Sequence, residues 1–197
     1  MALVRSGASC LTAAKASPSV AAGCLGRYNG PCVNWSCGTP VSILRIETEK
    51  ETLALGAALA KLAQSGDVIT LSGPLGVGKT TLSRGFIIER IGSEIDVSSP
   101  TFTLSHVYDL TTPPVWHFDF YRIDTPEDVE ELGLDEAQAD GISLIEWPDR
   151  AAAWLPAERL DITMAAMTDS DARTATMSAS PKWMSRMGEL VAIHGDL

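Results

Sequence analysis

The sequence is most informative first in what it withholds. No aspartate or glutamate precedes Glu47, no cysteine follows Cys37, and no methionine lies between Met1 and Met164. No apolar run approaches the ~20 residues that cross a bilayer, so no membrane partner is expected. The four cysteines, Cys10, Cys24, Cys32 and Cys37, are separated by 13, 7 and 4 residues with no histidine nearby. That spacing is not a paired C-x-x-C metal pattern and reads as unpaired thiols in a loose tail. The rest of the chain has no cysteine for a disulfide and suits a reducing, cytoplasmic location. There is no internal repeat, no second glycine signature of a tandem nucleotide site, and no Asn-Lys-x-Asp or Thr-Lys-x-Asp segment for reading guanine.

Charge is as uneven as cysteine. The chain has 197 residues and a net charge of −10. Arg5, Lys15, Arg27 and Arg45 are the only charged residues before Glu47, which leaves 11 basic against 25 acidic residues in the remainder, a net −14. A surface that acidic grips polyphosphate backbones poorly, so any nucleic acid is expected to be held by a partner or a local patch. Residues 1–42 are rich in Ala, Ser, Gly and Cys, show no sustained period, and read as an extension outside the fold. They resemble an organellar transit peptide or translation from an upstream start. A clean secretory h-region is lacking. Residues 43–197 are expected to form one domain, at a length sufficient for a substantial core.

What is present centres on Gly73-Pro74-Leu75-Gly76-Val77-Gly78-Lys79-Thr80, which fits G-x-x-x-x-G-K-[ST] without mismatch. Gly66 to Ser72 reads as a buried strand before it. Thr81 to Ile91 follows with apolar residues at helical spacing, so the motif stands in a strand–loop–helix context. Loop N–H groups and a helix N-terminus would then face an anion, with Lys79 as a charge for β/γ phosphates and the Thr80 hydroxyl placed for Mg²⁺. Gly73, Leu75, Gly76, Val77, Gly78 and Thr81 complete the candidate phosphate cradle. Without a guanine-reading segment, the reading leans towards ATP.

The remaining elements follow from pattern. Ile43 to Ile46 is a short strand. Thr48 with Glu51 forms a capping box for a helix to about Gln64, with Leu53, Leu59 and Leu62 among its apolar positions. Phe102–Leu110, anchored by Phe102, Leu104 and Val107, and Val115–Phe120 read as a hairpin. A short acidic helix opens at Asp124 or Thr125, with Pro126 at N1, and ends near Gly133. Ile142–Ile145 reads as a central strand, 160–167 and 172–180 as two late strands around a turn, and 181–192 as a final helix.

Hydrolysis of a triphosphate needs an acid for Mg²⁺ and a group to orient water. Two acids end apolar strands where the ligand crevice of an α/β sheet forms: Glu146, after the better Walker-B-like run, and Asp119. Each is alternatively a capped or solvated strand end. Ser99-Pro100-Thr101 occupies the place of a phosphate-sensing hydroxyl, although a turn is the simpler local reading. His117 shares a face with Asp119 and reads as a satisfied structural histidine. Arg122 is a charge stabiliser or a surface residue. Trp147 packs on a partner, a base or, most simply, the core.

Taken together, GPLGVGKTT, Ser99-Pro100-Thr101-Phe102, His117 to Arg122 (HFDFYR), Leu132-Gly133-Leu134 and Leu144 to Pro148 (LIEWP) resemble the TsaE (YjeE) family in order and spacing, over about residues 43–192. Pro74 stands where that family often has Asp. The resemblance implies a P-loop NTPase fold: α/β, a single three-layer domain with a central, largely parallel sheet and antiparallel additions. It implies ATP with Mg²⁺, Thr80 and Glu146 at the metal, Asp119 as a catalytically important acid and Thr101 in a switch-like segment. Glu49 and Arg173 would lie near the nucleotide. It further implies an ATPase needed for N6-threonylcarbamoyladenosine at position 37 of tRNA, with TsaD and TsaB as partners and tRNA engaged only indirectly. A small-molecule kinase and a nucleotide-gated binding module without significant turnover are the alternatives.

Overall fold

A computed structural model of the chain describes residues 33–34, 41–123, 126–168 and 170–194. The four cysteines, most of the 1–42 extension and the proposed cap at Asp124 or Thr125 lie outside the described residues.

Among the described residues, eight strands form one sheet: β1 (Val33–Asn34), β2 (Val41–Ile46), β3 (Asp67–Ser72), β4 (Ser105–Tyr108), β5 (Val115–Asp119), β6 (Ile142–Glu146), β7 (Leu160–Ala166) and β8 (Arg173–Ala179). Their spatial order is β1-β2-β8-β7-β3-β6-β5-β4. The four central strands, β7-β3-β6-β5, are mutually parallel, and the outer pairings are antiparallel. β6 is buried at every position and β3 at all but its last, as expected for strands covered on both faces. The sheet is therefore the expected parallel centre with antiparallel additions. It starts earlier than expected, because β2 begins at Val41 and β1 pairs onto its edge.

Period-two alternation divides the central residues between two cores. Ile69, Leu71, Ile142 and Leu144 pack with α1 (Glu49–Leu62), α2 (Lys79–Ile91) and α4 (Pro181–His194), through Leu55, Leu59, Leu82, Phe86 and Trp183. Val68, Ile145 and Phe118 face the other way, onto Phe120, Val129, Leu134 and Ala151. That second layer is built from 3₁₀ turns at Pro126–Leu132 and Pro148–Trp154 with α3 (Leu134–Asp140) between them. Helix, sheet and helix make the three layers.

A variant of the expected capping box opens α1, its reciprocal bond reaching one residue before the N-cap Thr48. The Thr48 hydroxyl accepts from Glu51 N–H at 3.1 Å, and the Glu51 carboxylate accepts from Glu47 N–H at 2.8 Å. α1 and α2 meet through paired glycines. A Cβ on Gly56 would stand 2.1 Å from the Leu82 carbonyl oxygen, and one on Gly85 would stand 2.2 Å from that of Leu53. Across the sheet's lower edge, Asp67 is held by Arg186 at 2.6 and 3.0 Å and by Lys182 at 3.0 Å, tying α4 to the start of β3.

Three elements differ from the sequence expectation. The strand expected from Phe102 begins only at Ser105. Pro100 C=O accepts from Leu104 N–H at 2.6 Å, Leu104 takes φ +64°, and Phe102 is 82% exposed. A tight turn replaces the extended run because its hydroxyls are engaged by Asp119, far away in the chain. α3, beyond Gly133, is the second difference. It is too short for periodicity to reveal and is fixed by burial of Leu134 and Ala137. The third is the 3₁₀ turn after Trp147, where Pro148 at the first position presets the backbone.

Candidate functional site

Parallel β3, β5 and β6 end at the same edge of the sheet. Their register sets Leu71 beside Glu146 and Asp119 beside Glu146. Both candidate acids therefore stand next to the loop that leaves β3. In that loop Gly73 has φ +134°, and a Cβ there would lie 2.3 Å from the Met164 carbonyl oxygen, so only glycine fits. Gly78 (φ +113°) caps α2 without a side chain, leaving the helix N-terminus open to the cleft. A cavity of about 260 Å³ results, lined by Leu75, Gly76, Gly78, Lys79, Thr80, Thr81, Ser99, Thr101, Asp119, Tyr121, Glu146 and Trp147.

Lys79 is buried and folds back onto its own loop, donating to the carbonyls of Gly73 (2.8 Å) and Pro74 (2.9 Å). Its ammonium lies 4.1 Å from the centre of the Trp147 ring. Burial holds its pKa below the usual lysine value, an effect opposed by the nearby charges of Glu146 and Asp119. Trp147 adopts φ +59°, which turns the chain sharply after β6 and lays the indole along the cleft beside Tyr121, ring centres 5.0 Å apart.

Glu146 is gripped at both oxygens. Thr80 Oγ1 donates to Oε2 at 3.1 Å, and His117 Nε2 lies 2.9 Å from Oε1. Asp119 is gripped as well: Ser99 Oγ and Thr101 Oγ1 (2.7 Å) donate to Oδ2, and Tyr121 N–H donates to Oδ1 at 3.0 Å. The Ser-Pro-Thr segment is thus both a turn and a wall of the cleft. Thr80 and Glu146 offer a hydroxyl and a carboxylate side by side, the hard oxygen donors that suit Mg²⁺.

Not every candidate enters the cleft. Gly73 and Val77 shape the loop's backbone. Arg173, first residue of β8, braces the loop from behind, donating to Val77 C=O at 3.5 Å and Asp171 C=O at 3.3 Å. Glu49 does not line the cleft: it is exposed in the first turn of α1, 3.7 Å from Arg84. Arg122 lies over the exposed Phe102 ring at 4.3 Å, outside the lining. Sequence reasoning overlooked Ser99 and Tyr121 as separate site residues, and it missed the His117–Glu146 contact. The available signal was the alternation along β5, which puts His117 and Asp119 on one face.

A sequence model described as "Threonylcarbamoyl adenosine biosynthesis protein TsaE" matches residues 46–175. The tRNA threonylcarbamoyladenosine biosynthesis protein TsaE of Bacillus subtilis (strain 168) is 37% identical over 154 residues, covering 78% of this chain and 95% of the relative. That of Mycobacterium leprae is 37% identical over 141 residues, covering 66% and 86%. That of Rickettsia conorii is 31% identical over 146 residues, covering 74% and 83%. The crystal structure of Bacillus subtilis YdiB aligns with a TM-score of 0.67 and 33% identity, covering 81% of this chain and 99% of the other. With the model matched across the whole cleft and these relatives matched over most of their own length, the chain belongs to the TsaE family of threonylcarbamoyl adenosine biosynthesis proteins.

Proposed function

We propose that this chain is a Mg²⁺-dependent ATPase of the cytoplasm that drives a TsaD–TsaB complex through its cycle during formation of N6-threonylcarbamoyladenosine at position 37 of tRNA. One observation carries the reading: Lys79 and Thr80 from the first turn of α2 and Asp119 and Glu146 from two strand ends converge on a single cleft. Family membership supports the pathway.

In this reading the loop amides and the α2 N-terminus hold the β and γ phosphates of ATP, and Lys79 leaves its loop carbonyls to pair with them. Thr80 and Glu146 hold Mg²⁺, which supplies charge neutralisation on the phosphate oxygens when bound. Asp119 holds Ser99 and Thr101 against the γ-phosphate side and orients the attacking water. The water oxygen bonds to the γ-phosphorus as the bond to the bridging oxygen breaks, releasing ADP and phosphate. The threonylcarbamoyl transfer itself belongs to the partners. The acidic surface agrees with tRNA being held by them.

The test adds the purified chain and ATP to a TsaD–TsaB reaction and scores multiple-turnover tRNA modification. Wild type should sustain turnover and Lys79→Ala should not. Equal modification by the two would overturn the reading. Phosphorylation of an added metabolite would favour a kinase, and ATP-controlled assembly without turnover would favour a gated binding module.

A further inference from the structure

His117 is wholly buried in the middle of β5, between Trp116 and Phe118 in the chain. Its Nε2 lies 2.9 Å from Glu146 Oε1. A carboxylate can only accept, so the contact is a hydrogen bond in the tautomer that places the proton on Nε2. Nδ1 has no hydrogen-bond partner among the described residues. Leaving a buried polar atom unpaired is unfavourable, a cost that an apolar residue at this position would not incur. A position serving only the core would be better filled by a side chain like Phe118. The contact with Glu146 is what histidine supplies there.

That contact has a geometric consequence. Thr80 Oγ1 reaches Glu146 Oε2 from the first turn of α2, while His117 takes Oε1 from the neighbouring strand. The two grips fix the carboxylate's rotation and leave Oε2 as the oxygen shared with the Thr80 hydroxyl. His117 and Asp119 project from the same face of β5, two residues apart. One strand thus steadies both acids of the cleft, Asp119 through its own side chain and Glu146 through His117.

We propose that His117 is a positioning residue: it holds the Glu146 carboxylate in the rotation that sets it beside the Thr80 hydroxyl, where the two side chains would hold a divalent cation. The inference rests on the nucleotide-and-metal reading of the cleft and deepens it. Partners that orient a metal-binding side chain set affinity for the metal without touching it, and losing one weakens binding by roughly 10- to 100-fold.

The experiment measures Mn²⁺ binding to the full chain in the presence of ADP by electron paramagnetic resonance, and ADP affinity separately in EDTA. His117→Asn is too short to reach Glu146, whereas His117→Gln carries an amide N–H near the position of Nε2. His117→Asn should bind Mn²⁺ roughly 10- to 100-fold more weakly than wild type. Its metal-free ADP affinity should stay within about twofold, since the phosphate-holding groups are intact. His117→Gln should recover most of the Mn²⁺ affinity. His117→Ala, if it folds with an unfolding midpoint near wild type, should match His117→Asn; if it does not fold, the Asn and Gln pair decides. Unchanged Mn²⁺ affinity in His117→Asn would overturn the proposal. So would a parallel loss of metal-free ADP affinity, which would show a general disturbance of the site. Wild-type protein that binds neither ADP nor Mn²⁺–ADP would instead overturn the reading of the cleft itself.

Discussion

Thr80 and Glu146 stand 66 residues apart in the chain, and their side chains meet at 3.1 Å. The contact joins the first turn of the helix after the glycine loop to the end of a different strand. Removing either side of it should therefore affect the metal more than the nucleotide. Glu146→Gln preserves shape but removes the charge. On the proposed reading it should lower Mg²⁺ affinity in the nucleotide complex while ADP binding in EDTA changes less than threefold, because that reading assigns the phosphate contacts to the loop. Titrating Mg²⁺ against a fluorescent nucleotide checks this, and an equal loss in both conditions would refute it.

Lys79→Ala, on the same reading, acts on the phosphates. The variant loses charge-assisted hydrogen bonds worth about 2–3 kcal/mol, so nucleotide affinity should fall roughly 30- to 150-fold. Calorimetric titration with ATP measures it. The variant should remain folded, since among the described residues Lys79 hydrogen-bonds to its own loop carbonyls and otherwise meets the Trp147 ring beside the cleft.

Asp119 presents a different balance. Its carboxylate accepts from Ser99, Thr101 and Tyr121 N–H, so it holds the 99–104 turn as well as facing the cleft. Asp119→Ala should keep nucleotide affinity within about fivefold while turnover drops roughly 10²–10⁴-fold, the range for losing a group that handles the reacting water. Amide exchange over 99–104 should accelerate in the same variant. Unchanged exchange there would show that the turn does not depend on Asp119.

These contacts also mark where sequence reading succeeds and where it stops. The loop, β3 and β6 are legible because each is announced locally, by glycines at fixed spacing or by a short continuous apolar run. The capping box at Thr48 is legible for the same reason. The 99–104 turn is not. Phe102, Leu104 and Val107 alternate like a strand, and what bends them is Asp119, 18 and 20 residues from its hydroxyl partners. The two-way grip on Glu146 is invisible for the same reason: His117 is 29 residues away and meets it only through strand pairing. Resemblance pointed to Arg173 and Glu49 alike, yet of the two only Arg173 touches the loop, because β8 begins beside it while Glu49 turns outward to Arg84.

Gly85 gives a stability prediction with no functional residue involved. A methyl there meets the Leu53 carbonyl oxygen at 2.2 Å, backbone on both sides, so neither helix can relieve it by a side-chain rotation. Gly85→Ala should destabilise by about 1–3 kcal/mol as α1 and α2 are forced apart. That corresponds to a fall in Tm of roughly 3–10 °C at this size. Scanning calorimetry reads it directly, and an unchanged or raised Tm would show that the helices have room to part.

Asp67 makes the pH dependence of stability predictable. It is almost fully buried at the start of β3. Burial raises its pKa, but hydrogen bonds from Arg186, Gln64 N–H and Lys182 outweigh it and hold the carboxyl below the usual aspartate range. Because the folded-state pKa is depressed, folding favours the ionised carboxylate. The contribution is fully present above pH ~4 and is lost as pH falls through the folded value. Asp67→Asn removes the charge at all pH values and leaves Arg186 and Lys182 facing a neutral amide. At pH 7 it should cost about 3 kcal/mol, the low end for a broken buried pair because Lys182 and Arg186 retain access to water. Below the folded pKa the wild-type carboxyl is neutral too, so the difference between the two proteins should shrink towards zero. Urea unfolding of both at pH 7 and at about pH 2.5 tests this. A gap that stays constant across that range would mean that Asp67 stabilises through packing and not through its charge.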